Sequence, residues 1–425
     1  MANAGTRTTP SSDDEGNNRR ARWNFWVLQA DAVSFFWGVV FIDSATVLPL
    51  LLLRLHAAPW AIGCINSVRI LAVFLPPLFA AHLIHGRPLH KRFLLGVCAI
   101  GRSALFTLAP VLWLMGGSHH RITLIWLFVT YGLFWSCDGA CGVSWLDIIA
   151  KSVPARIRGR FFGTMQLLGG IVTIPAAAII SLILGSSRLP FPTDFAVLIS
   201  LCSLGLLSSQ IALSLIHEPI GEVEGISKGS FSTHLRRIPG FINENRTMLR
   251  YTAVRICLEV GGMAAPFYVV YARQSLQIAV AMTGIYLAFQ KLGEILTGPL
   301  WGWLSERWGV VAAYRGIGLA IIAAPSIAIL SNWNSLLLPA TFFCLGGATQ
   351  GLWMVFSNAL LDSVQPSSRP LAVGVSNAMI APTALYPLLG GIIAQSFGYF
   401  PVFGVTIAVA AVGLLLTLAF KPEPT

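Results

Sequence analysis

The sequence predicts an all-α integral membrane protein with about twelve transmembrane helices in two six-helix bundles. Three observations lead there. The 425-residue chain is 55% hydrophobic and only 11% charged, where a soluble domain carries about a quarter charged residues. Its mean hydropathy is +0.73, so its charges could not cover a water-soluble globule of this size. Apolar runs of about 20 residues recur from one end to the other, each long enough to cross ~30 Å of hydrocarbon. Helices are the physical choice, because a backbone facing lipid must satisfy its own hydrogen bonds.

The first six spans read as residues 25–53, 60–84, 93–115, 122–146, 161–184 and 195–216. The second six read as 251–271, 278–304, 311–330, 336–361, 371–394 and 400–420. The division is a polar cytoplasmic tail at 1–22, expected to be disordered, a first bundle at 23–217, a cytoplasmic connector at 218–250, a second bundle at 251–420 and a short tail at 421–425. The apolar segment after the first tail is too long for a cleavable signal.

The net charge of +11 does not point to nucleic acid. Its basic residues sit in short loops between apolar runs, as the positive-inside pattern requires. Arg87, Lys91, Arg92, Lys151, Arg156, Arg158, Arg160, Arg236, Arg237, Arg307 and Arg315 fall on one side, while Arg54, Arg121, Arg188 and Arg273 fall on the other. Both termini are therefore expected to be cytoplasmic. Trp60, Trp113, Trp126 and Trp333 lie near span ends, as an interfacial belt would. The seven cysteines all fall inside apolar runs and form neither a metal-ligand cluster nor a disulfide framework. No Walker loop, nucleophile–base arrangement or metal-ligand spacing is found, so no cofactor, metal, ATP-driven or catalytic role is predicted.

The halves echo each other. Span four ends in Leu146-Asp147 and runs through Val153-Pro154, Arg158 and Arg160 to Gly163. Span ten ends in Leu361-Asp362 and runs through Val364, Pro366 and Arg369 to Gly374. Acid, Pro, Arg and Gly recur in one order at one place in each half, the symmetry of a duplicated transporter.

The loop after span eight, from Gly302 through Ser305, Glu306, Arg307 and Trp308 to Gly309, matches a family motif of Gly, an acid four residues on, Arg, one residue and Gly. Asp147 with Pro154, Arg156, Gly159 and Arg160, and Gly390-Gly391 followed by Gly398-Tyr399-Phe400, supply two further matches. On these motifs the chain resembles the major facilitator superfamily over nearly its whole length after residue 22. The resemblance implies alternating access between two bundles, with spans one, four, seven and ten lining a central cavity. It also implies a cytoplasmic gate built from Gly302, Glu306, Arg307, Gly309, Asp147, Arg156, Arg160, Asp362 and Arg369. The chain departs from the pattern in two places. His85 stands where the loop after span two should carry an acid, and span five (Gly163, Gly169, Gly170, Pro175) lacks the spaced Gly-Pro-Gly-Gly of drug–proton antiporters.

Ionisable residues inside a membrane cost about 2.5–3.5 kcal/mol each on insertion scales and default to functional candidates. Asp43, Arg69, Arg102, Asp138, Arg255, Glu259, Lys291 and Glu294 qualify, while Asp31 counts nearer the cytoplasmic interface. Substrate-cavity candidates are Asp43, Arg69, Asp138, Arg255, Glu259, Lys291, Glu294, Gln350, Trp353 and Asn358. Pairing is the competing reading. Asp43 and Arg69 share a depth on adjacent spans, Arg255 and Glu259 are four apart, and Lys291 and Glu294 three apart. Asp138 has no evident local partner, so it heads the proton-coupling candidates, before Glu259 and Asp43. Pro49, Pro76, Pro77, Pro175, Pro266, Pro382 and Pro387, with Gly346, Gly347 and Gly351, mark expected bends or close packing. The expectation is a monomeric secondary transporter of a small organic solute, coupled to H⁺, in a bacterial inner membrane. The alternatives are an uncoupled facilitator or a non-transporting membrane receptor or assembly factor of the same fold.

Overall fold

A computed structural model describes residues 12–84, 87–220, 241, 244–365 and 369–418. His85, Pro366, most of the connector, both ends of the chain, Arg236 and Arg237 lie outside the described residues. Among the described residues the chain is helical throughout. Nine helices are long and apolar enough to cross a membrane.

In the first half the helices are α1 (Ser12–Val40), α2 (Val47–Arg54), α3 (Pro59–Phe74), α4 (Pro76–Ile84), α5 (Lys91–Phe106), α6 (Leu108–Met115), α7 (His120–Ser152), α8 (Ala155–Leu184) and α9 (Thr193–Ser214). In the second half they are α10 (Arg246–Leu258), α11 (Gly261–Gln274), α12 (Met282–Leu330), α13 (Leu338–Asp362), α14 (Arg369–Ile380), α15 (Tyr386–Phe397) and α16 (Tyr399–Leu418). Several predicted spans are thus broken helices. The first breaks between α1 and α2, where Asp43 Oδ1 accepts hydrogen bonds from the Ala45 and Thr46 amides, both at 2.9 Å, and so turns the chain. Pro76 starts α4, and the eleventh predicted span breaks at the 3₁₀ turn Ala381–Leu385 that contains Pro382.

The longest helix, α12, is two helices meeting at Gly309, whose φ of 81° and ψ of 163° are not helical. A side chain at this φ is strained whatever the space around it, which is why the motif's final glycine closes the turn. Pro175 and Pro266 sit inside helices that run on past them. Gly346 instead allows close packing, since a Cβ there would lie 1.9 Å from the Gln290 carbonyl oxygen of α12. Next to this contact Tyr286 stacks on Phe342 with ring centroids 4.7 Å apart.

The two halves meet through α3 against α15 and α8 against α12. At one end the approach is backbone to backbone. A Cβ on Gly63 would lie 1.9 Å from the Pro387 carbonyl oxygen, and one on Gly391 2.5 Å from that of Pro59. Ser181 Oγ donates to the Ala281 carbonyl across the same seam. At the other end α4 leaves the seam and packs on α7 of its own half. None of the ion pairs among the described residues joins the halves.

Candidate functional site

Two groups of buried polar side chains lie inside the spans. The first is within the amino-terminal half, around a cavity of about 280 Å³ lined by α1, α5, α7, α8 and α9. Asp31 is its anchor, only 4% exposed. Ser209 Oγ donates to Asp31 Oδ1 at 2.5 Å and Trp145 Nε1 to Oδ2 at 2.9 Å. Arg102 closes the network by donating to Ser209 Oγ at 2.9 Å, Gln210 Oε1 at 2.9 Å and the Leu206 carbonyl at 3.1 Å. Every donor of this network that faces α9 therefore has an acceptor, which is how a charged group stays buried.

Asp138 lines the same cavity beside Phe35, Phe36 and Met165. Its carboxylate has no hydrogen bond or ion pair among the described residues and feels the charges of Arg102 and Asp31. Cys98 and Cys141 sit on the cavity wall with sulfurs 3.0 Å apart, both free thiols. Sequence reasoning counted Asp31 nearer the cytoplasmic interface and did not link it, Arg102, Trp145, Ser209 or Gln210 to a site. One signal was legible: Ser208, Ser209 and Gln210 are three consecutive polar residues inside a predicted span.

The second group lies where the halves face each other. Tyr131, Trp135 and Asp138 are spaced by four and three residues and share one face of α7. Arg69 of α3 stacks over the Trp135 ring, its guanidinium carbon 5.2 Å from the centroid. From the other half, Lys291 Nζ donates to both oxygens of Glu294 at 2.8 and 3.0 Å and feels the charges of Asp43 and Arg69. Phe35 joins the two groups, lining the Asp138 cavity while packing 6.4 Å from the Trp135 ring.

The remaining candidates divide cleanly. Arg255 pairs with Glu259 at 3.0 Å and lies 4.3 Å above the Phe356 ring, at the break between α10 and α11. Gln350 is half-buried on α13, and Trp353 and Asn358 are exposed on the same helix. Gly302 is half-buried, and Glu306, Arg307, Arg156, Arg160, Asp362 and Arg369 are exposed. Arg369 Nε donates to the Leu361 carbonyl at 3.2 Å, eight residues back. Arg158, which the gate expectation did not include, donates to the Ala150 carbonyl at 2.5 Å, also eight back. The sequence repeat is thus a repeated cap, an Arg closing the carboxy-terminal end of α7 and of α13.

Asp147 bonds within its own half, to His90 Nδ1 at 2.7 Å and Lys151 Nζ at 2.5 Å. Glu218 accepts from the His90 and Lys91 amides at 2.7 and 2.8 Å. His90, Asp147 and Glu218 converge closely enough to hold a metal ion. Lys151 already supplies the cation there, lying 3.8 Å from Glu218 as well, so the cluster reads as a clamp tying the start of the connector to α5 and α7.

Residues 256–425 match the model of the Major Facilitator Superfamily. Multidrug resistance protein MdtG of Dickeya zeae is 32% identical over 145 residues, and that of Citrobacter koseri 31%. Each alignment covers 33% of this chain and 34% of the relative, so the match spans about a third of the length of these curated relatives. The fold likeness is much wider. The nucleoside transporter NupG superposes with a TM-score of 0.65 at 17% identity, over 92% of this chain and 97% of that one. A bacterial homolog of the human lysosomal transporter Spinster, in an inward-facing and unoccupied conformation, gives 0.66 at 14% identity, over 94% and 96%.

Proposed function

We propose that this chain is a carrier of the major facilitator superfamily, whose model matches residues 256–425, and that it moves a small organic solute across a bacterial cell membrane by alternating access, with Asp138 carrying a coupled proton. One observation carries the reading: among the described residues the halves are packed backbone to backbone at one end and share no ion pair at the other, around the half-buried, unpaired Asp138 and Arg69. A carrier needs two such bistable ends. We read twelve crossings with both termini cytoplasmic, because the basic loops collect on the side where the halves part. That makes the present conformer inward-open. The expected gate residues act in the other conformer, when Glu306, Arg307 and Asp362 can reach the first half.

Asp138 is preferred as the proton carrier over Glu259 and Asp43 because those two are occupied, Glu259 by Arg255 and Asp43 by the Ala45 and Thr46 amides. The relatives named as multidrug resistance proteins make an amphipathic solute a sensible member of any test panel.

The test is uptake into proteoliposomes under an imposed pH gradient, with organic anions, cations, sugars, amino acids and amphipathic drugs as solutes. The wild type should accumulate at least one class. One pH unit supplies ~1.4 kcal/mol, or about tenfold accumulation. Asp138→Asn should lose that accumulation while keeping solute exchange. Accumulation that survives the substitution refutes the proton assignment. Uptake indifferent to the gradient in the wild type indicates a facilitator, and no uptake of any solute a receptor that kept the fold.

A further inference from the structure

Among the described residues Arg69, Arg102, Arg255 and Lys291 lie deep in the spans, and the last three have acceptors. Arg102 holds the α9 network, Arg255 has Glu259, and Lys291 has Glu294. Arg69 has no hydrogen bond or ion pair among the described residues, and its Nε is fully buried without an acceptor. The sequence suggested Asp43 as its counter-ion, but no ion pair joins them. Asp43 Oδ1 is used three times over, by the amides of Ala45 and Thr46 and by the Thr46 hydroxyl at 2.8 Å.

A guanidinium keeps its charge in any protein environment, and with Asp43 nearby but turned to the backbone, what this position lacks is an anion in direct contact. Its guanidinium carbon lies 5.2 Å from the Trp135 ring centroid, and no hydrogen bond among the described residues uses its edge donors. Those edge donors are the ones that bind carboxylate or phosphate oxygens in pairs. Lys291 adds a second positive charge from the opposite half, though it shares that charge with Glu294.

Resting on the transporter reading above, we infer that the solute is an organic anion, a carboxylate or a phosphonate. Its oxygens pair with Arg69 and its apolar body lies against the Trp135 wall. An anion held between Arg69 and Lys291 touches both halves, which is what a solute must do to govern their rocking. Co-transport of one proton on Asp138 with a monoanion moves no net charge.

The experiment reads binding, so it stands apart from any failure of the transport assay. The full chain, purified in detergent, is melted with benzoate, phenylphosphonate, benzylamine and benzyl alcohol as probes of one size. Ligands that bind the native state raise its melting temperature with concentration. Benzoate and phenylphosphonate should do so, and benzylamine and benzyl alcohol should not. The ranking of the two anions tells carboxylate from phosphonate. Arg69→Gln should shift the anion response at least tenfold to higher concentration, Arg69→Lys should restore part of it, and the exposed Arg188→Gln should leave it alone. If Arg69→Gln does not fold, the quench of tryptophan fluorescence by phenylphosphonate, expected to fall in Trp135→Phe, decides instead. A response shared by benzyl alcohol, an anion response intact in Arg69→Gln, a quench unchanged in Trp135→Phe, or no anion response in the wild type overturns the inference.

Discussion

Gly63→Leu is expected to abolish transport and to hold the halves apart at the end where they now meet. The reason is the nature of the atoms that a side chain would strike. A Cβ at residue 63 would sit 1.9 Å from the Pro387 carbonyl oxygen and 2.7 Å from its carbon, and neither can swing aside as a side chain could. Gly391 makes the reciprocal approach to Pro59, so α3 and α15 are sealed by two glycines, each facing the other helix's backbone. Overpacking a well-packed core costs roughly 1–3 kcal/mol, and a backbone clash belongs at the upper end. About 3 kcal/mol is a factor of ~150 in population, enough to turn a dominant conformer into a minor one. Within its own half α3 packs mainly on α7 through other positions, so the bundle itself should survive. The measurement is labelling of Ser181→Cys by a membrane-impermeant maleimide, in a background without the native cysteines. Residue 181 lies in the seam. Labelling should be slow in the parent and fast with Gly63→Leu. Undiminished transport together with slow labelling would show that the seam does not move.

The second large effect concerns stability. Arg102→Leu removes a 5%-exposed cation that donates to three acceptors on α9. Asp31 and Asp138 would then face one cavity with no cation between them. Breaking a buried charge arrangement by deleting one member costs roughly 3–5 kcal/mol, chiefly because of what is left behind. The informative variant is therefore the pair. Adding Asp31→Asn to Arg102→Leu should raise the melting temperature above that of Arg102→Leu alone, because the stranded charge goes too. A double variant no better than additive would mean that Arg102 acts by packing and not by charge.

What could be read from the chain and what could not follows from the range of each interaction. The Arg255–Glu259 and Lys291–Glu294 pairs were legible because residues three and four apart meet on any helix, whatever surrounds it. The helical segments were legible for a similar reason, since hydrocarbon leaves the backbone no other partner. The Asp31 network was not legible, because it joins positions 31, 102, 145 and 209 from four helices. Counting depth from the start of an apolar run said nothing of the partners of Asp31. The run begins near residue 25, yet α1 starts at Ser12, and α7 runs on to Ser152, which brings Trp145 over the carboxylate. Asp43 and Arg69 stood side by side in the sequence reading. The break between α1 and α2 turned Asp43 to the backbone instead. Of the expected gate residues, Asp147 and Arg369 are bonded within their own halves in this conformer.

The central claim is that the two ends open in turn. Its most direct test is a pair of spin-label distances in lipid nanodiscs, one across each end. Arg92→Cys with Trp308→Cys spans the basic-loop end, and Ser118→Cys with Ser275→Cys spans the opposite end. All four positions are exposed. Distances are read while pH is cycled and phenylphosphonate is added. Opposed changes are expected, with the basic-loop distance shortening under the conditions that lengthen the other. Distances that change together, or that stay fixed in every condition, would contradict it.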